Sequence, residues 1–205
     1  MTPQFSPSYD NKIARKYSSK TLEEKVKNKS VLQEELGWVQ EPKRPLVCIS
    51  TGMTDALGGH LLEKMMEGLM ELPLELVIRG RGSQKYGALF TDLAKKEKHR
   101  VNIVPDDEVT LRKLLAGSDI ALFFASTKEV REDIENALAY GVIPVAPEQG
   151  TLENYNPIQE AGNSFTYKEH TSWQCFAALV RALETFKFPF DWRTIQRHAM
   201  EGVEE

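Results

Sequence analysis

The chain contains 205 residues, of which 41% are apolar and 27% charged, and its formal net charge is -4. These values are typical of a soluble globular protein and argue against nucleic acid as its main partner. No apolar segment approaches the roughly 20 residues of a membrane span, and the N-terminus lacks the apolar core of a signal peptide. We therefore expect a cytoplasmic protein without a membrane partner, in which Cys48 and Cys175 are buried, reduced thiols.

The first 45 residues are predicted to be an extended and helical lead-in to the main domain, which spans residues 46–205. Residues 1–10 are rich in Pro, Ser and Tyr and read as extended chain. A helical pattern follows, in which Thr21 and Glu24 are placed as a capping box and Gly37 as the stop. One side of this helix carries the apolar residues Leu22, Val26, Leu32 and Leu36.

Apolar strands and amphipathic helices alternate through the main domain. The predicted strands are residues 46–50, 74–78, 101–104, 120–125, 142–146 and 163–167. Helices are predicted between the first five strands, and a turn-rich segment follows the fifth. Two more helices, residues 171–186 and 190–200, finish the chain. Because β and α alternate at this spacing and crossovers are right-handed, the predicted fold class is α/β. It is a Rossmann-like, three-layer parallel sheet with helices on both faces.

The segment 120–155 is the clearest strand–helix–strand unit of the chain. It opens with an uninterrupted apolar run, continues with a helix whose apolar residues recur every four positions, and Gly141 ends that helix. Doubly wound sheets bind ligands at the loops that follow the carboxyl ends of their strands. In this unit those loops are residues 126–131 and 147–155.

Three glycine-bearing loops are predicted to lie on one edge of the sheet, each between a strand and a helix or turn. Backbone amides and helix dipoles at such loops attract phosphate groups. A plain tight turn remains an alternative for each loop alone, but three on one edge favour an anion site. The residues concerned are Gly58, Gly80, Arg81, Gly82, Gly150, Thr151 and Leu152.

Side chains for metal or nucleophilic chemistry are not grouped in the sequence. The four histidines have no metal-ligand spacing with one another or with the cysteines, and no G-x-S-x-G elbow is present. The acidic residues at positions 129–135 lie mostly on the polar face of a predicted helix, which favours a solvated surface. We assign no metal site and no cofactor.

Several segments resemble the C-terminal half of bacterial glycogen synthases and plant starch synthases, which are glucosyltransferases of the GT-B fold. FSPSYD is similar to the family's WNP-x-x-D, and LEEKVKNKSVLQEELG to its L-x-x-K-x-x-N-K-x-x-L-Q-x-x-LG. AGSDIALF, ALAYGVIPVA, GNSFTY and WRTIQRHAM match its AGAD-x-x-L, AM-x-YG-x-x-PV, GNGFxF and W-x-x-L-Q-x-x-AM. The resemblance covers almost the whole chain and implies binding of ADP-glucose or UDP-glucose.

The resemblance also implies which positions would carry chemistry. The family's arginine and lysine, which neutralise the departing diphosphate, fall on Gly52 and Leu57, whereas Thr54 and Gly58 persist. Its catalytic-loop glutamate falls on Lys128 or, with a slip of one residue, on Glu129.

The loss of these cations lowers the expected activity. Removing one such electrostatic donor costs roughly 10² to 10³ in rate. The family's T-G-G-L phosphate loop is partly retained from Gln149 to Leu152, and candidates for replacement charge are Arg81, Lys128 and Arg131. We expect the isolated chain to bind a nucleotide sugar without turning it over.

Several roles remain open at the level of sequence. The family performs its reaction between two Rossmann-like domains, and this chain resembles only the second. It is expected to be a degenerate binding or regulatory module, with glycan interaction as one version. Alternatively it is one subunit of a split glucosyltransferase whose acceptor domain is a separate polypeptide, or a fragment of a longer enzyme.

Overall fold

The centre of the fold is a parallel sheet of six strands in the order β3-β2-β1-β4-β5-β6, seen in a computed structural model that describes residues 5–204. All five neighbouring pairs are parallel. The strands are β1 (Leu46–Ile49), β2 (Glu75–Arg79), β3 (Val101–Val104), β4 (Ile120–Leu122), β5 (Ile143–Pro147) and β6 (Phe165–Tyr167). This is the strand order of a doubly wound Rossmann sheet, so the predicted fold class is confirmed.

Among residues 5–204, one α-helix precedes β1, one lies between each pair of consecutive strands from β1 to β5, and two follow β6. They are α1 (Lys25–Glu35), α2 (Gly59–Glu71), α3 (Gln84–Lys96), α4 (Glu108–Gly117), α5 (Lys128–Ala139), α6 (Ser172–Phe186) and α7 (Pro189–Glu204). Helix α1 packs on α4, α2 on α6, and α5 on α7. Gly141, with φ of +67°, follows the end of α5 as predicted, because a left-handed residue there lets the chain turn directly into β5.

The predicted capping box at the start of the first helix is wrong. A short 3₁₀ turn (Leu22–Glu24) precedes α1, and the Thr21 side chain caps neither element. The Thr21 hydroxyl instead accepts a hydrogen bond of 2.9 Å from the Ser18 amide, so the preceding turn has already used it. The predicted apolar stripe also fails at Val26, which is 42% exposed.

The inward face of α1 is polar rather than apolar. The Lys25 ammonium donates to the carbonyls of Leu115 and Ala116, at 2.9 and 2.8 Å, where helix α4 ends. The Lys29 ammonium forms a 2.6 Å ion pair with Asp119, the residue before β4. Buried lysines of this kind satisfy carbonyls that a helix end leaves unpaired. The lead-in is thereby attached to the main domain, and its boundary at residue 45 stays a prediction.

Both cysteines lie in the core as free thiols, as expected. Burial raises the pKa of Cys48 and of Cys175 to about 12, which keeps both protonated and unreactive. Among residues 5–204, no helix combines the length and the apolar character needed to cross a membrane.

Candidate functional site

The order in which the chain adds strands reverses between β1 and β4, which are neighbours in the sheet. The loops after these two strands contact each other. Gly58, at the start of α2, has a φ of +91°, and a Cβ built on it would lie 2.4 Å from the Cβ of Phe124. The two loops therefore approach as closely as backbone allows. In doubly wound sheets this switch point is where ligands bind.

The loops after β1 and β2 are joined backbone to backbone. The Met53 amide donates to the Arg81 carbonyl at 3.0 Å, and the Ser83 amide donates to the Met53 carbonyl at 3.0 Å. Gly52 has a φ of +70°, and a Cβ on it would lie 2.0 Å from the Arg81 carbonyl oxygen. Gly82 is restricted in the same way, because a Cβ added to it would lie 2.0 Å from the Met53 carbonyl oxygen. No L-residue fits at position 52 without moving this junction.

Leu57 is buried in the core, 9% exposed, at the end of a closed turn. In this turn the Gly58 amide donates to the Asp55 carbonyl at 3.1 Å, and the Gly59 amide to the Thr54 carbonyl at 3.0 Å. Both glycine amides are therefore already bonded within the loop. The loop after β1 consequently presents no cation at position 57 and no free amide at positions 58 and 59.

The turn after β2 uses two of its amides but exposes its arginine. The Gly80 amide donates to the Val104 carbonyl and the Arg81 amide to the Arg79 carbonyl, both at 2.8 Å. The Arg81 side chain is 44% exposed and its guanidinium lies 2.9 Å from the Glu129 carboxylate. Arg81 and Glu129, predicted from separate loops, are thus brought together.

The other predicted cations project from the first turn of α5 into solvent. Lys128 is 91% exposed and lies 3.9 Å from Glu132, and Arg131 is also exposed. The Thr127 hydroxyl caps this helix by accepting from the Val130 amide. Within residues 5–204 no ion pair holds either cation toward the loops after β1 and β2.

The loop after β5 is the most open of the three glycine loops. Gly150 has a φ of +53°, is exposed, and would have no atom within 4 Å of an added Cβ. Its amide and that of Thr151 make no hydrogen bond within residues 5–204. Leu152 is half-buried, and its amide donates to the Gln149 carbonyl at 3.1 Å. Free amides at a sheet's carboxyl edge are suitable donors for a phosphate oxygen.

The Gln149 side chain ties this loop to the loop after β4. Its amide nitrogen donates to the carbonyls of Ala125 and Pro147, at 3.1 and 3.2 Å. Its carbonyl oxygen is buried and has no hydrogen-bond partner within the described chain. The loop after β5 therefore has one unpaired acceptor, the Gln149 side-chain oxygen, in addition to the unpaired amides of Gly150 and Thr151.

Further unpaired polar atoms lie near the ends of β1 and β2. Within residues 5–204 the Ser50 hydroxyl, the Arg79 Nε and one oxygen of Asp133 are buried without a hydrogen-bond partner. The Arg79 guanidinium also contacts the Ser50 carbonyl at 3.3 Å and Asp106 at 2.7 Å. Buried polar atoms are nearly always paired, so such a group marks a place where a polar ligand or water belongs.

Asp133, on α5, is a half-buried carboxyl near this edge whose pKa is shifted. Burial raises the pKa of its carboxyl to about 6, against the opposing attraction of Arg79 and Arg81. Perturbed carboxyls in clefts are frequent at functional sites. The sequence analysis did not place Ser50 or Arg79 at the site, and it assigned the acidic residues of positions 129–135, which include Asp133, mostly to a solvated helix face. The available signal for Arg79 was an arginine at the end of the apolar run Leu76–Ile78. Among residues 5–204 no group of three potential metal ligands is present.

A parallel sheet in this strand order, with helices on both faces, is the Rossmann-like fold of the domains of GT-B glycosyltransferases. The catalytic domain of starch synthase IV from Arabidopsis thaliana, bound to ADP and acarbose, has this fold with a TM-score of 0.78 and 22% identity, over 96% of this chain and 42% of that one. HepE from Anabaena, in complex with UDP and glucose, superposes with a TM-score of 0.62 and 17% identity. The match covers 87% of this chain and 47% of HepE.

The amino-acid sequence is similar to those of bacterial glycogen synthases. Glycogen synthase from Clostridium perfringens is 31% identical over 204 residues, which are 97% of this chain and 42% of that enzyme. Glycogen synthase from Fervidobacterium nodosum is 30% identical over 203 residues, which are 96% of this chain and 41% of that enzyme. The homologues of this chain are thus glycogen synthases, and the chain fits the C-terminal half of their GT-B architecture.

The chain spans about two fifths of the length of these curated relatives. No model of a known protein family matches it.

Proposed function

We propose that this glycogen synthase-like domain binds a nucleoside-diphosphate glucose at the carboxyl edge of its sheet, and that the isolated chain does not transfer the glucose. The observation that carries the proposal is the set of unpaired polar groups around the switch point. The free amides of Gly150 and Thr151 are donors for one phosphate, and the exposed guanidinium of Arg81 offers a positive charge on the loop after β2, at the same edge of the sheet. The starch synthase and HepE structures, which hold ADP and UDP, support a nucleotide ligand for this fold.

The loop after β1 is the reason to propose binding without transfer. In a retaining glucosyl transfer, negative charge accumulates on the departing diphosphate, and preorganised donors lower the barrier. Gly52 is closed by the Arg81 backbone and Leu57 is packed in the core, so neither position contributes a cation. Arg81 is paired with Glu129, which offsets part of its charge.

Calorimetry with ADP-glucose, UDP-glucose, ADP and maltooligosaccharides tests the binding step. We expect a nucleotide to bind and Arg81→Ala to weaken it, with Lys95→Ala, an exposed cation on α3, as the matched control. A glucan-elongation assay on the same preparation tests the second step and is expected to remain silent. If none of the nucleotides gives a heat of binding, the binding proposal is wrong. If the isolated chain elongates a glucan rapidly, the proposed inactivity is wrong.

A second candidate function is that of one component of a glucosyltransferase whose acceptor-binding part lies elsewhere, on the same or another polypeptide. It is favoured by the length relation, since the glycogen synthases that match are more than twice as long as the matched region. Co-purification from the native source, followed by elongation assays on the recovered complex, tests it. A recovered complex that binds nucleotide sugar yet elongates no glucan would count against this function.

A further inference from the structure

A cavity lies at the opposite edge of the sheet from the proposed nucleotide site. It has a volume of about 440 Å³ and is bounded by α1, by the segment before β1, and by the junction of α6 and α7. Asp119, directly before β4, is part of its wall, which places the cavity at the amino ends of the strands. Cavities of roughly 300 to 1,000 Å³ are the usual size of small-molecule sites.

The inner wall of this cavity is apolar and its charged groups are already paired. The rings of Phe186 and Trp192 meet edge to face, with centroids 5.3 Å apart. The Lys29 ammonium lies 5.1 Å from the Phe186 ring and is bonded to Asp119 at 2.6 Å. Asp119 also accepts from the Leu46 amide at 2.8 Å. The single carboxylate of the wall is therefore neutralised within the protein.

The outer wall is positively charged and incompletely paired. Lys43, Lys187 and Arg193 border the cavity and are exposed. Lys187 pairs with Glu184 at 2.7 Å. By contrast, the Lys43 ammonium and the Arg193 guanidinium form no ion pair or side-chain hydrogen bond with any residue from 5 to 204. This concentration of cations stands out because the chain as a whole carries a net charge of -4.

The wall also contains an unpaired buried donor. Trp192 is 4% exposed, and its indole Nε1 has no hydrogen-bond partner within residues 5–204. An indole nitrogen can only donate. Among the described side chains of the wall, the groups without a partner are therefore the Trp192 donor and the Lys43 and Arg193 cations, so the complementary ligand carries acceptors and negative charge.

We propose that this amino-edge cavity binds a small organic anion, a molecule with a planar apolar body and one carboxylate, sulfonate or phosphate group. The body packs against Phe186 and Trp192, and the anionic group lies at the mouth between Lys43 and Arg193. Exposed charges at the mouth add modest affinity and mainly select the sign of the ligand. The site is separate from the proposed nucleotide site and does not depend on it.

Two fluorescent probes of equal shape and different charge test this site. 8-Anilinonaphthalene-1-sulfonate carries the anionic group, and N-phenyl-1-naphthylamine has the same rings without it. We expect the sulfonate to bind saturably to the full chain, and the double variant Lys43→Glu/Arg193→Glu to weaken it about tenfold while leaving the neutral probe unchanged. Added salt should weaken only the sulfonate, because exposed charges are screened. Lys95→Glu/Lys96→Glu, on α3, is the matched charge-reversal control.

A second variant tests the cavity itself. Val26→Trp places a large ring at the half-exposed wall position of α1 and should abolish binding of both probes, with helical content verified by circular dichroism. Phe188 and Phe190 are 59% and 69% exposed nearby, so Phe188→Ser/Phe190→Ser controls for dye bound to the outer surface. Sulfonate affinity that survives the Lys43/Arg193 reversal, or that disappears only in the Phe188/Phe190 variant, would overturn the proposal. Calorimetric ADP binding should be unaffected throughout.

Discussion

The carbonyl oxygen of Arg81 occupies the space that a side chain at Gly52 would need. It lies 2.0 Å from the position of a Cβ on Gly52 and accepts the Met53 amide at 3.0 Å. The backbone of one loop thus excludes a cation from the other. The positive charge available at this part of the edge is instead the Arg81 guanidinium, on the loop after β2, where it contacts Glu129.

The first prediction concerns this junction. Gly52→Ala should lower the free energy of unfolding by about 3 kcal/mol or more, because left-handed backbone strain and overpacking against Arg81 add together. Gly150→Ala is the matched control: its φ is +53°, but nothing lies within 4 Å, so only the strain of about 1 kcal/mol remains. Urea unfolding of both variants measures the difference, and equal losses would contradict the account.

The second prediction uses the Arg81–Glu129 pair. Arg81→Ala should weaken ADP binding about fivefold, whereas Glu129→Gln should strengthen it by a similar factor, since it releases the guanidinium from a competing carboxylate. Both side chains are about half exposed, so neither change should alter folding strongly. Calorimetric titration at low salt measures both, and effects of the same sign would count against a phosphate role for Arg81.

The third prediction follows from Asp133. Its folded-state pKa is raised from 3.8 to about 6, so the folded chain holds this proton more tightly than the unfolded chain. The stability that this proton contributes is fully present below pH 3.8 and is lost as the pH rises through about 6. Asp133→Asn should therefore be more stable than the wild type at about pH 8, by about 1 to 2 kcal/mol allowing for solvent screening, and similar to it at about pH 4.

Urea midpoints at these two pH values measure that effect. Glu135→Gln, an exposed carboxylate on the same helix, is the control and should show no such pH-dependent gain. A wild-type advantage over Asp133→Asn at the higher pH would show that an attraction to Arg79 and Arg81 outweighs burial.

The fourth prediction concerns the attachment of α1. Asp119→Ala should cost about 3 to 5 kcal/mol, because it leaves the buried Lys29 ammonium bonded to backbone carbonyls but without a carboxylate to balance its charge. The side chains of this pair are 3% and 11% exposed. Lys128→Ala breaks the exposed pair with Glu132 and should change stability by less than about 1 kcal/mol. Thermal unfolding of the two variants tests the contrast, and comparable shifts would refute it.

Much of the fold could be predicted from local patterns. Strand β1 (Leu46–Ile49) is a short, uninterrupted apolar run that is buried throughout, and a short apolar run bounded by polar and turn residues favours a buried strand. The same reasoning failed for α1, whose buried face includes Lys25 and Lys29. Their burial depends on carbonyls of Leu115 and Ala116 and on Asp119, about 90 residues away in sequence. No helical periodicity contains that information.

The sequence by itself determined that this chain has a parallel Rossmann-like sheet, and it placed glycine loops and Arg81 on the carboxyl edge, because strand and helix periodicities and turn residues act over a few positions. Only the tertiary structure decided which groups on that edge are free. It closed Gly52 against Arg81, bonded the Gly58 amide within its own loop, and left atoms of Ser50, Arg79 and Asp133 without a partner in the part of the chain that the structure describes. The physical reason is that hydrogen-bond satisfaction and steric closure depend on atoms brought together from distant loops, which only the packed chain specifies.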